Sequence, residues 1–139
     1  MIERSGPKLE KQEIGTISNL GLAHLGDAVF ELLVRSFLVQ QGIAKVGDLH
    51  KKAVAYVAAP AQAAAIGRIY DDLSPEEQGA YKRGRNAKVH AIPKGASLAQ
   101  YHAATGLETL FGYLYLQGNQ ARIYELFDMI VGGEDAPCP

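Results

Sequence analysis

Apolar residues recur at three- and four-residue steps along much of the chain, and a two-residue alternation is nowhere sustained. From Ser18 to about Gln40, Leu22, Leu25, Val29, Leu32, Leu33 and Phe37 fit one face of a 3.6-residue period, which predicts a long helix. Ser18 or Asn19 caps its start, and Gly42 follows its end. A second helix is expected from Val46 to about Ala59, with Leu49, Ala53, Val54 and Val57 turned inward. Pro60 interrupts it and opens a third, Ala61 to Tyr70, whose alanines favour helix and close packing. Ser74-Pro75-Glu76-Glu77 is a capping box with proline in the first turn, starting a helix to about Gly84. Arg85 to Gly95 lacks a period and reads as a loop. Ser97 to Gln100 is a second capping box, for a helix from about Leu98 to Gln117, and Asn119 caps a last helix to about Val131. Residues 1–14 read as a flexible lead-in, 15–131 as one domain and 132–139 as a disordered tail. The expected fold class is all-α, five or six helices around one core.

Composition narrows the function classes. A chain of 139 residues with 47% hydrophobic and 21% charged positions has enough apolar matter for one core. A formal net charge of -1 excludes a globally basic nucleic-acid binder, though not a local basic patch. The single cysteine, Cys138, excludes an internal disulfide framework and a Cys-based zinc cage. No apolar run approaches the roughly 18 residues needed to span a membrane, and the polar start MIERSGPKLEKQEIG has no secretion-signal core. A cytoplasmic setting without membrane partners is the expectation. Glycine-rich nucleotide loops, a Gly-x-Ser-x-Gly elbow and His-x-x-x-His spacing are all missing from the sequence.

Three features carry candidate chemistry. In Leu25-Gly26-Asp27-Ala28-Val29-Phe30-Glu31, a carboxylate is expected on an apolar helix side, where burial is costly unless it is paired or holds a cation. Gly26 beside it weakens the helix and marks a close approach of another backbone or a ligand. Glu31 shares the face of Asp27, and spacing leaves open whether these acids pair with Arg35 or a distant lysine. Glu108 likewise stands in a mostly apolar helix between Gly106 and Gly112. Carboxylates from two helices are how a bundle builds a hard-cation site, the bland alternative being an isolated surface acid. From Tyr81 to Lys94 the chain has Lys82, Arg83, Arg85, Lys88 and Lys94 and no acid, while Asp71 to Glu77 holds four acids. Arg, Lys and Asn86 at a helix end suit phosphate oxygens, and His50, Lys51 and Lys52 extend the same surface. As an unplaced run it equally reads as a solvated basic loop.

Together these features resemble the ribonuclease III catalytic-domain family, in its short form without a double-stranded-RNA-binding domain. Leu25-Gly26-Asp27-Ala28-Val29-Phe30-Glu31 is similar to the family's signature helix, with Asn19 at its opening. Glu108-Thr109-Leu110-Phe111-Gly112-Tyr113-Leu114-Tyr115 is similar to its second acidic motif. Asp48-Leu49-His50-Lys51-Lys52 and Lys82-Arg83-Gly84-Arg85-Asn86-Ala87-Lys88 resemble stretches of the short form.

The resemblance implies a homodimeric helical bundle that hydrolyses phosphodiester bonds in double-stranded RNA. It implies a Mg²⁺ shared by Asp27 and Glu108, with Mn²⁺ able to substitute. RNA contacts fall on Lys82, Arg83, Arg85, Asn86, Lys88, His50, Lys51 and Lys52. Glu31, Thr105 and Asn19 take structural or supporting roles. The implied substrate is precursor of large-subunit (23S) ribosomal RNA, with a ribosomal protein presenting it as a further partner. The chain departs from the full-length pattern of four acids: Ala23 and Thr105 stand at two of those positions. Thr105 offers a hydroxyl for a bound water but no charge. The competing reading is a non-catalytic RNA-binding or ribosome-assembly module on the same fold.

Overall fold

The computed structural model describes residues 6–88 and 95–132. Among the described residues, seven α-helices and one 3-10 turn run in the order α1 (Lys11–Ile14), α2 (Asn19–Gln40), α3 (Val46–Val57), α4 (Ala59–Ile69), the turn Tyr70–Asp72, α5 (Pro75–Arg85), α6 (Leu98–Leu116) and α7 (Gln120–Gly132). No strand occurs among the described residues, so the all-α class holds. Most boundaries follow local chemistry. The Ser18 hydroxyl accepts from Gly21 N–H and caps α2. Reciprocal capping boxes open α5 (Ser74 with Glu77) and α6 (Ser97 with Gln100). Gly42 and Gly118, at φ +94° and +78°, turn the chain after α2 and α6 in a backbone region that favours glycine.

Helix α6 is the centre of the bundle. Leu107, Leu110, Phe111 and Leu114 are fully buried, and α2, α4, α5 and α7 pack around it. Phe30 of α2 meets Phe111 at 5.5 Å and Phe127 of α7 at 6.0 Å between ring centroids, in the tilted and edge-on geometries aromatic pairs prefer. Two pairs of glycines set the closest helix approaches. A Cβ on Gly26 would lie 1.6 Å from the Glu108 carbonyl oxygen, and one on Gly112 would lie 2.2 Å from that of Leu22. On the other side of α6, a Cβ on Gly84 would lie 2.1 Å from Thr109 Oγ1, and one on Gly106 would strike the Tyr81 ring at 2.5 Å. Backbones of α2 and α5 therefore touch α6 where a β-carbon would force them apart.

The structure corrects several expectations. The inner stripe of α2 is Leu22, Ala23, Gly26, Phe30, Leu33, Val34 and Leu38. Leu32, placed inward by the period, is 66% exposed, and Val54 of α3 is also exposed. Asp27, expected on the core side, is exposed. The rotation follows from Gly26, which draws its own side of the helix against α6. Residues 6–14 include α1 and pack on the bundle. Leu9 N–H donates to the Leu116 carbonyl at 2.7 Å, and Ile14 is fully buried. The tail over 132–139 lies outside the described residues except for Gly132, which ends α7.

Of the four acids around Asp71–Glu77, Glu76 and Glu77 are tied into the fold by their side chains. Arg122 of α7 grips both Glu77 oxygens at 2.9 Å and donates to the Asp72 carbonyl at 2.8 Å. Burial pushes the Glu77 carboxyl up, but Arg122 and the capping-box donors overcome it, and the net shift is downward. The bidentate fork fixes α5 to α7 more firmly than one point contact.

Gly26→Ala is expected to destabilise the protein by about 3 kcal/mol or more, since overpacking costs on the order of 1–3 kcal/mol and here the obstacle is backbone. Gly79→Ala, exposed in α5 with open space around it, should instead stabilise by about 0.5–1 kcal/mol. Urea unfolding of the two variants checks the contrast.

Candidate active site

Asp27 and Glu108 are brought together by the tight α2–α6 crossing. Gly26 packs on the Glu108 backbone, so its neighbour Asp27 is delivered beside the Glu108 side chain. The Asp27 charge acts on the Glu108 carboxyl as a like-charge neighbour. Glu108 is the more enclosed of the two. Burial, and then the Asp27 charge, push its carboxyl up to about 8, against a smaller lowering effect of the Gln62 amide. Gln62 lies on α4, 2% exposed, with Nε2 donating to the Val57 carbonyl at 2.9 Å and to Glu108 Oε2 at 3.4 Å. Its Oε1 is buried without a hydrogen-bond partner. No motif or period in the sequence singles out Gln62. Its only signal was being the sole polar residue in the run Ala58–Ala65.

The other expected positions divide. Glu31 forms an i,i+4 ion pair with Arg35 at 3.2 Å and contacts neither site acid in any described bond. With His50 this pair edges a groove between α2 and α3 floored by Leu49 and Ala53. Lys51 and Lys52 are exposed on α3, and Lys82, Asn86 and Lys88 at the end of α5. Arg83 is engaged within the protein, donating from Nε to Asn19 Oδ1 at 2.8 Å and from Nη2 to the Ile17 carbonyl at 3.1 Å. It joins α5 to the start of α2. Arg85 stacks over Tyr81 at 5.6 Å. Thr105 is buried, and its hydroxyl donates to the Tyr101 carbonyl of its own helix at 3.0 Å. Ala23 is buried as well. Lys94, named with the basic run, lies outside the described residues. Among the described residues no cluster of three or more His, Cys, Asp or Glu side chains is placed to hold a metal, so this site has two acids and one amide.

A helical domain that brings two carboxyls together across a glycine-tightened crossing has the makings of a candidate hard-cation site. The Ribonuclease III domain family matches residues 20–119. The chain is 48% identical to the Mini-ribonuclease 3 of Symbiobacterium thermophilum over 111 residues, covering 80% of this chain and 85% of that protein. It is 45% identical to the Mini-ribonuclease 3 of Thermoanaerobacter sp. over 123 residues, covering 88% and 87%. The X-ray crystal structure of protein FN1578 from Fusobacterium nucleatum superposes with a TM-score of 0.77 at 32% identity, covering 84% of this chain and 90% of that one. The chain therefore belongs to the ribonuclease III family, in its Mini-ribonuclease 3 branch, and is an endoribonuclease of the ribonuclease III type.

Two outcomes follow from the geometry. Glu108 binds its proton more tightly when folded, so folding stability is full below the ordinary value of 4.5 and falls as pH rises toward about 8. In chelator, Glu108→Gln should remove that decline and be more stable than wild type at pH 8 by on the order of 2 kcal/mol. The gain should vanish near pH 4; thermal unfolding across this range measures it. Arg83→Ala should lower thermal stability by about 1–3 kcal/mol through its lost docking bonds. Lys82→Ala should leave the melting temperature nearly unchanged.

Proposed function

We propose that this chain is a divalent-metal-dependent endonuclease for double-stranded RNA, with Asp27 and Glu108 as metal ligands and catalytic residues. The observation that carries the reading is the acid pair itself. Two carboxyls held together, one largely enclosed, repel each other unless a proton or a cation lies between them. Mg²⁺ suits such a site because it needs only one or two carboxylates and otherwise keeps its waters. The buried, unpartnered Oε1 of Gln62 is an acceptor of the kind those waters need. Mn²⁺ meets the same oxygen set. When bound, the metal lowers the pKa of water and acts as a Lewis acid toward the phosphodiester.

The chain's own residues divide the remaining work. Asp27, exposed, faces the side from which RNA arrives, and Glu108 anchors the site to the core helix. Lys82, Arg85, Asn86 and Lys88 at one helix end, and His50, Lys51 and Lys52 on α3, bind phosphates. These contacts position the duplex without reading its sequence. A-form RNA presents a wide, shallow minor groove, which a helical surface recognises by shape. Two copies would cut both strands, a role supported by exposed Leu32 and Tyr124 beside Val29 and Ile123. The substrate is a double-stranded stem of large-subunit (23S) ribosomal RNA precursor, presented with a ribosomal protein in the cytoplasm. No described helix is long and apolar enough to cross a membrane.

A duplex-RNA cleavage assay tests the reading. Wild type should cut with Mg²⁺ or Mn²⁺ and stop with chelator. Asp27→Asn should lose at least about 10³-fold in rate while still binding RNA, with affinity falling steeply as salt rises. Undiminished cleavage by Asp27→Asn removes Asp27 from the mechanism, and tight RNA binding by wild type without any cutting favours the non-catalytic module.

A further inference from the structure

Gln62 is an unusual residue for its place. It lies in the first turns of α4, within an alanine-rich run, yet is 2% exposed. A buried amide is costly unless its hydrogen bonds are made. Its two Nε2 protons have separate acceptors. One goes to the Val57 carbonyl, at the end of α3 where Pro60 follows and the helix ladder stops. The other goes to Glu108 Oε2. This orientation is fixed by the Val57 carbonyl: turned over, the amide would set its oxygen against a carbonyl oxygen, which cannot donate. The α3–α4 joint thus reaches the site through one side chain.

We propose that Gln62 is the positioning residue of the acid pair, holding the Glu108 carboxyl in place for a divalent cation shared with Asp27. The inference rests on the reading of Asp27 and Glu108 as metal ligands. Anchored on a helix-end carbonyl, the amide has little freedom, so it restricts the Glu108 side chain to the rotamer that faces α2. Partners of this kind commonly govern metal affinity about as strongly as weak ligands do, by 10–100-fold. Gln62 touches neither Asp27 nor any basic residue of the RNA-binding surface in the described bonds. Its effect should fall on metal uptake and not on RNA affinity.

The test is Mn²⁺ titration of the full chain, followed by electron paramagnetic resonance, for wild type, Gln62→Met, Glu108→Gln and the double variant. Gln62→Met keeps the length and removes the donor. It should weaken Mn²⁺ binding about 10-fold, lower kcat for duplex RNA at limiting Mg²⁺ with recovery at high Mg²⁺, and leave KM for RNA unchanged. In the Glu108→Gln background it should add nothing, the signature of a residue that acts through another. Wild-type Mn²⁺ affinity in Gln62→Met, or the same loss in both backgrounds, overturns the positioning role while wild-type cleavage leaves the nuclease reading standing. A wild type that takes up no Mn²⁺ overturns both. Should Gln62→Met not fold, the ¹⁵N resonance of the Gln62 side-chain amide in wild type decides: it should shift on adding Mg²⁺, and an unmoved resonance contradicts the proposal.

Discussion

The structure depends on the crossing of α2 over α6 at Gly26 and Gly112. Each glycine stands where a β-carbon would enter the other helix's backbone, at 1.6 Å from Glu108 O and 2.2 Å from Leu22 O. The contact is backbone on backbone, which places the two helices with less play than side-chain packing would allow. Glycine weakens a helix, and the core offsets that cost: Phe30, Phe111, Leu107, Leu110 and Leu114 close around the crossing. The same approach makes Asp27 and Glu108 neighbours. Packing and chemistry here are one constraint, because separating the helices enough to relieve the acids would open the core.

The acids are held in a state that the apo protein does not favour. Enclosure and the Asp27 charge keep the Glu108 carboxyl inclined to stay protonated, up to about 8. A metal bound there would compete with the proton. A site with four acids would suffer more repulsion; here Ala23 and Thr105 replace two of them, and Gln62 supplies a neutral donor beside Glu108. The electrostatic load elsewhere is handled differently. Glu77 has a guanidinium across both oxygens, and Glu76 is held by Tyr113, Gln117 and Lys11. Glu76 and Glu77 thereby serve the fold, whereas in the proposed reading a metal ion would be the cation of the Asp27–Glu108 pair.

Much of this was legible in the sequence because it is local. Helix starts at Ser18, Ser74 and Ser97 are set by side chains three residues from the donors they satisfy, and Gly42 and Gly118 mark stops through backbone conformation. The glycine next to Asp27 correctly signalled a close approach. What stayed hidden depends on partners distant in the chain. The period of α2 admits two neighbouring stripes, and only the docking of α6 at Gly26 selects the one containing Phe30 and Val34 over the one containing Leu32. Arg83 belongs to a basic run by sequence, yet its guanidinium reaches across to Asn19 and Ile17. Gln62 meets Glu108 only because α4 lies on α6. Leu9 and Ile14, in a stretch with little period, are placed by the α6 end and the core.

In the proposed reading, the Asp27–Glu108 pair takes up one divalent ion. The most direct measurement is an anomalous difference map from a crystal of this chain soaked in Mn²⁺ and recorded at the manganese edge. A peak in contact with carboxyl oxygens of both Asp27 and Glu108 is the result predicted. A map with no peak there, or with manganese bound only elsewhere on the surface, would contradict the account.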